Sequence, residues 1–453
     1  MAKKEYDLTT GSILNKLLII ASPLMATQLF QMAYNLIDMF FVGRISSDAV
    51  AATGAAGMYL WLSVAFFIIG ATGASIGVSM NKGRGDMVRM GKFAYNSLFI
   101  ALVLGLLFST IMISFTDFFI GLIGIEEYHV ANDAIAYLRV ISFAFPVIFI
   151  NNAITGAFNG SGNAKLPFYC KMTGLILNVI VSPILIFVIG WGVFGAAVAT
   201  AIGHATTGLM LLIMIKNPKT SPIENFEFRQ VLKPDKSVIK QILKWTIPVF
   251  LESASFTMLT MIIMNMIAGF GSDAMATKQI GTQVEALTWL IGGGFATAFT
   301  SFVGQNYGAK KIDRIKSGFK IAASVQIAWG TVVTLIMIFG GRFIFGLFTD
   351  NIAIIESGIR YLRISAFVQI TGCLDGVCTG AFRGMGKTLP PSITTTTFNT
   401  LRVFIAYALS LTSLGLYGVF IGAVMGIFLR NIGIIIWYTI YAKTKLKGLE
   451  VVS

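Results

Sequence analysis

Four carboxylates stand inside long apolar runs of this sequence: Asp38, Glu252, Glu285 and Asp375. A charge at mid-bilayer costs at least about 2.5 kcal/mol, so an acid kept there is expected to face a cavity and to serve function. A carboxylate held out of water takes up a proton more readily than an exposed one, and among other oxygens it can hold Na+ instead. Either property would couple the movement of a solute to an ion gradient. Arg402 also lies within an apolar run, either as a buried counter-ion or with its head reaching for the interface. His204 could join a proton relay or pack as a neutral imidazole. A cavity holding Glu285 and Arg402 would also need apolar and aromatic walls, which Tyr34, Met58, Trp61, Met258, Met261 and Trp289 can supply.

No motif of covalent or hydrolytic chemistry accompanies these acids: the chain has no GxSxG, no HExxH and no GxxxxGK[ST]. With two histidines, a His-based metal site is not expected. No catalytic residue, enzyme activity or cofactor is expected beyond a coupling ion, and without a phosphate-binding loop the energy must come from an ion gradient or from the solute's own. Cys170, Cys373 and Cys378 are read as packing thiols, since three cysteines make no disulfide framework.

The elements that must position the acids follow from composition. Of 453 residues, 56% are hydrophobic and 12% charged, where a soluble domain carries about 25% charged. This excludes an ordinary soluble enzyme. A helix needs roughly 20 apolar residues to cross a bilayer, and twelve such stretches can be drawn between 13–42 and 416–441. The first exceeds the apolar core of a signal peptide and is expected to stay as a helix. Fold class is therefore all-α and polytopic.

Net charge is +14, and the basic residues cluster between apolar runs instead of forming a nucleic-acid-binding face. With both termini cytoplasmic, about 27 of the 34 Lys and Arg fall inside, as the positive-inside rule requires. The clusters include Lys3/Lys4/Lys16, Lys82 to Lys92, Lys216 to Lys244, Lys310 to Lys320 and Lys443/Lys445/Lys447, while Asp117, Glu126, Glu127 and Asp133 form an acidic outer loop.

The chain repeats itself at an offset of 224–226 residues. Thr155 to Gly162 (TGAFNGSG) matches Thr379 to Gly386 (TGAFRGMG), Tyr137-Leu138-Arg139 matches Tyr361-Leu362-Arg363, and Pro23 matches Pro248. Two six-helix lobes follow, 1–215 and 238–453, joined by a cytoplasmic linker at 216–237. An even number of helices per repeat relates the lobes by an axis along the membrane normal. The acids do not repeat: Asp38 falls opposite Ile263, Glu252 opposite Thr27, Glu285 opposite Leu60 and Asp375 opposite Asn151.

These features resemble the multidrug and toxic compound extrusion (MATE) family, NorM- and DinF-like, over essentially the whole chain. The resemblance is carried by PLMATQLFQMAYNLIDMFFVG from Pro23, VGQNYGA from Val303 and the paired TGAFxGxG segments. It implies two lobes that alternate access and export amphipathic, often cationic small molecules in exchange for Na+ or H+. Asp38 matches the family's first-helix acid in the N-lobe ion site, and Asn178 and Thr200 match its polar partners. Ser182 stands where archaeal and DinF-like members carry Asp, so that site has one carboxylate fewer. Glu252 and Asp375 match C-lobe acids to which NorM-like members' cation site is attributed, so Na+ is expected at Glu252, Asp375 or Asp38. A monomer in the cell membrane is expected, with no nucleic-acid partner. Two other readings remain open: a flippase of lipid-linked oligosaccharides, which calls for a strongly basic cavity, and a non-transporting membrane scaffold or receptor.

Overall fold

The computed structural model describes residues 6–125 and 127–446. Lys3, Lys4, Glu126, Lys447 and the side chain of Lys445 lie outside what is described. Among the described residues there is no strand. The long helices are α1 (Ile13–Gly43), α2 (Ser47–Arg84), α3 (Met87–Ser114), α4 (Tyr128–Gly160), α5 (Lys165–Pro183), α6 (Gly192–Lys216), α7 (Lys236–Ala268), α8 (Ser272–Gly308), α9 (Ile312–Phe339), α10 (Ile352–Ala366), α11 (Gln369–Gly384), α12 (Leu389–Ser410) and α13 (Leu416–Tyr441). Shorter helical turns lie between some of them.

Ten of these are long and apolar enough to span a bilayer, and α10 and α11 meet the same measure only together, across a 44° bend, as a broken span or a re-entrant pair. The remaining helix, α12, has 22 residues and would also reach across, but the run Thr394–Thr397 makes it the polar one. Side-chain and glycine signals set the ends: Ser46 accepts from the Ala49 amide at 3.0 Å to start α2, and Gly85 at φ +76° closes it. After Ser182, Pro183 cannot donate its backbone bond, and α5 continues through one wider π turn, Ile184–Val188.

Contacts group the chain into two compact units. The first comprises residues 1–7 and 26–250, the second residues 8–25 and 251–453. The sequence reading drew 1–215 and 238–453 around a linker; the contacts instead divide α1 and α7 internally, three residues past Pro23 and three past Pro248. A proline inside a helix deletes one backbone hydrogen bond and lets the helix bend. In the first unit the start of α7 is fixed by aromatic packing, with Trp245 stacked on Phe93 at 5.4 Å and Phe250 against Phe66 at 5.1 Å. In the second unit, Gln305 and Asn306 of the VGQNYGA segment bind the Leu8 amide and carbonyl, each at 3.1 Å. That segment is thus a clamp on the approach to α1.

The repeated TGAFxGxG segment is a packing device. A Cβ at Gly156 or Gly160 would fall within 2.2 Å and 2.5 Å of the Ala71 and Ser75 carbonyl oxygens of α2. Gly380 and Gly384 meet Ala296 and Thr300 of α8 in the same way, at 2.7 Å and 2.5 Å. Glycines four apart allow α4 to lie directly on α2, and α11 on α8, as close-packed membrane helices require. Cys170, Cys373 and Cys378 are buried and free, as packing thiols are.

Candidate functional site

In the first unit the polar interior is built around Asp38. The acid lies near the end of α1, and its Oδ1 is buried with no hydrogen-bond partner. Neutral groups gather beside it. The Tyr34 hydroxyl, one turn back on α1, lies 3.4 Å from Thr200 Oγ1 on α6. Asn178 Nδ2 on α5 approaches the same oxygen at 3.4 Å, and Ser182 donates to Asn178 Oδ1 at 3.0 Å. Tyr137 of α4 is buried within electrostatic reach of Asp38 and Thr200. Among the described residues no Lys or Arg pairs with Asp38. Asn178, Ser182 and Thr200, expected from the sequence in the N-lobe ion site, are joined by hydrogen bonds to one another, and Tyr34, one turn from Asp38, reaches the same Thr200 hydroxyl. Tyr34, expected on a cavity wall, thus belongs to this hydrogen-bonded group. His204 is one turn further along α6 and is influenced by Lys171 of α5.

The three acids singled out in the second unit, Glu252, Glu285 and Asp375, each have a cationic partner. Glu252 of α7 receives Arg383 Nη2 on both carboxylate oxygens, at 3.1 and 3.2 Å, and Ser392 Oγ at 2.9 Å. Asp375 of α11 receives Arg430 of α13 at 3.1 Å. The same guanidinium reaches Asn431 Oδ1 at 3.0 Å, and Asn431 Nδ2 in turn donates to Thr371 at 3.0 Å. Glu285 of α8 receives Lys278 at 3.3 Å and the Tyr361 hydroxyl at 2.7 Å. These side chains are mostly buried, at 14–25% exposure. Removing two charges from water is costly, and only direct pairing with additional hydrogen bonds offsets it. Glu285, expected on a substrate wall, is thus tied into an ion pair. Arg402 is 4% exposed, donates to Thr260 Oγ1 at 3.0 Å and lies over the Phe256 ring at 5.6 Å.

Trp61, Met258, Met261 and Trp289 are exposed on their own units, at 70%, 65%, 49% and 52%, outside the polar clusters. Sequence reasoning missed the cations. Lys278, Arg383 and Arg430 carried the same signal as the acids: the repeat puts Thr53, Asn159 and His204 opposite them. It also missed Tyr137 and Tyr361, a repeat-matched pair that occupies the polar core of both units.

An all-helical chain with ten or eleven apolar spans and charged clusters within them is a multi-pass membrane protein of the transporter type. The MatE family model matches residues 23–184 and again 248–408, with starts 225 residues apart, and the chain belongs to that family. The second match is the internal repeat read from the sequence. The chain is 28% identical over 436 residues to a probable multidrug resistance protein NorM of Thermotoga maritima, covering 92% of this chain and 90% of that one. It is 25% identical over 419 residues to the probable multidrug resistance protein YoeA of Bacillus subtilis, covering 91% and 90%. A solved outward-facing multidrug resistance MATE family transporter of the MOP superfamily superposes with TM-score 0.90 at 24% identity, over 98% of each chain. That likeness establishes the fold.

Proposed function

We propose that the chain is a cation-coupled multidrug exporter of the cell membrane. In this reading both termini are cytoplasmic, and amphipathic, often cationic compounds leave by alternating access as H+ or Na+ enters. The names of the relatives support the drug-export reading, and family membership supports transport over the scaffold or receptor alternative. The observation that carries the coupling assignment is Asp38: an acid with a buried, unpartnered oxygen amid hydroxyl and amide groups, with no cation beside it. Such a carboxylate is free to take a proton or a Na+. Glu252 and Asp375 are less available, because a guanidinium already fills the place an ion would take. Tyr34, Tyr137, Asn178, Ser182 and Thr200 set the polarity around the acid, and Ser182 supplies a neutral hydroxyl where a second carboxylate would strengthen Na+ binding. The ion drives transport only if it binds the two conformations with different affinity.

The test is efflux of a cationic dye from proteoliposomes under imposed Na+ or pH gradients. Wild type is expected to export the dye under one of the two gradients, and Asp38→Asn to lose at least tenfold of that rate. Gradient-driven efflux at the wild-type rate in Asp38→Asn would remove Asp38 from the mechanism. No efflux by wild type under any gradient would remove the export reading.

A further inference from the structure

The interior charges of the second unit do not cancel. Three acids, Glu252, Glu285 and Asp375, face four cations, Lys278, Arg383, Arg430 and Arg402. Arg402 is the surplus. It donates to the neutral Thr260 hydroxyl, its Nε is buried with no hydrogen-bond partner, and Arg430, Glu285 and Tyr361 lie within electrostatic reach. Three residues earlier on the same face of α12, Asn399 is fully buried with both its Oδ1 and its Nδ2 unpartnered. Buried polar groups are nearly always hydrogen-bonded, so two such side chains side by side mark a place where a ligand group completes the bonding.

The packing makes room for this arrangement. Gly426 of α13 lies so close to the Arg402 stem that a Cβ there would fall 2.3 Å from Arg402 Cβ. At the repeat offset of 226, Gly426 stands opposite Thr200. The position that carries a hydroxyl beside the free acid in the first unit is therefore emptied in the second to seat a cation. Phe256, over which the guanidinium lies, is 37% exposed and offers an aromatic wall beside the charge.

We propose that Arg402 and Asn399 form a site for the oxyanion of an amphipathic substrate, a carboxylate or sulfonate whose apolar body lies toward Phe256. This deepens the export reading and rests on it: the chain would then take anionic or zwitterionic amphiphiles as well as cationic ones. Arg402 supplies the fixed charge and an unfilled N–H, and Asn399 supplies an amide donor. The opposed charges of the three ion pairs leave the +1 excess in place at the site.

The test uses two probes with the same apolar body and opposite charge, pyrenebutyrate and pyrenebutyl-trimethylammonium. Their affinities are read by fluorescence anisotropy on the full-length protein in neutral detergent. Arg402→Gln is expected to weaken pyrenebutyrate at least tenfold and to leave the ammonium probe within twofold. Arg402→Lys should recover part of the loss. Asn399→Leu, which keeps the charge and removes the amide donor, should weaken pyrenebutyrate about threefold and keeps the test available if Arg402→Gln does not fold. The proposal is overturned if both probes weaken alike in Arg402→Gln, as a purely structural role would produce, or if pyrenebutyrate binds the Arg402 and Asn399 variants as it binds wild type. Gradient-driven efflux of the ammonium probe by wild type is measured in parallel: its absence would count against the export reading, whereas loss of the contrast between probes would count against the oxyanion site.

Discussion

The two units are copies of one fold that handle buried charge in opposite ways. The first leaves Asp38 without a cation and surrounds it with Tyr34, Tyr137, Asn178, Ser182 and Thr200. Its ion pairs Lys92–Asp235, at 3.4 Å, and Arg139–Asp117, at 2.7 Å, lie at exposed positions. The second unit pairs Glu252, Glu285 and Asp375 with Lys or Arg and adds the buried Arg402. An unpaired carboxylate can change its occupancy, while a paired one mainly holds helices together. Both arrangements rest on the same packing scaffold, with matching glycines at 156/160 and 380/384.

This contrast predicts that breaking a pair costs more stability than neutralising the lone acid. Arg430→Gln strands Asp375 in a mostly buried position and is expected to destabilise the protein by about 3–5 kcal/mol, whereas the double variant Arg430→Gln/Asp375→Asn should recover most of the loss. Asp38→Asn should leave the melting temperature in detergent unchanged or raised. Equal losses for Arg430→Gln and Asp38→Asn would erase the distinction between the units.

The matched tyrosines sharpen it further. Tyr137→Phe removes a buried hydroxyl within electrostatic reach of the free acid, a polar change worth about 1 kcal/mol. It is expected to shift the ion concentration for half-maximal efflux by about fivefold, with little change in melting temperature. Tyr361→Phe removes a bond to the paired Glu285 and should lower the melting temperature without moving that ion dependence. The reverse pattern would assign ion sensing to the second unit.

The smallest effect is expected at the surface. Asp235 starts α7: the Val238 amide, then Lys92 and the Ser237 amide, hold its carboxyl below the usual carboxylate range. A depressed value means that the contribution is present above the ordinary carboxylate range and is lost as pH falls through the lowered one. Melting temperatures from about pH 6 to about pH 3 should fall slightly less in Asp235→Asn than in wild type. An equal or larger fall in the variant would show that the cap contributes nothing.

The helices, the repeat and all four acids could be read from the sequence, because apolar runs, a fixed offset and a carboxylate amid hydrocarbon are local signals. The pairings could not. Arg383 lies 131 residues from Glu252 and Arg430 lies 55 from Asp375, and a count of basic residues by side of the membrane absorbs such cations into topology. The division of α1 and α7 was hidden for the same reason: Pro23 and Pro248 could be seen as a matched pair, but contacts across many residues decide where each half-helix packs. Gly426 carried no chemical signal at all until Arg402 was placed against it.

The claim that the unpaired acid is the coupling group is tested most directly by counting ions. Proton release or loss of bound radioactive sodium can be recorded when a cationic dye is added to the purified protein in weakly buffered detergent, for wild type, Asp38→Asn and Asp375→Asn. The account predicts about one ion displaced per wild-type molecule, none from Asp38→Asn, and a wild-type count from Asp375→Asn. Ion displacement that survives in Asp38→Asn and vanishes in Asp375→Asn would contradict it.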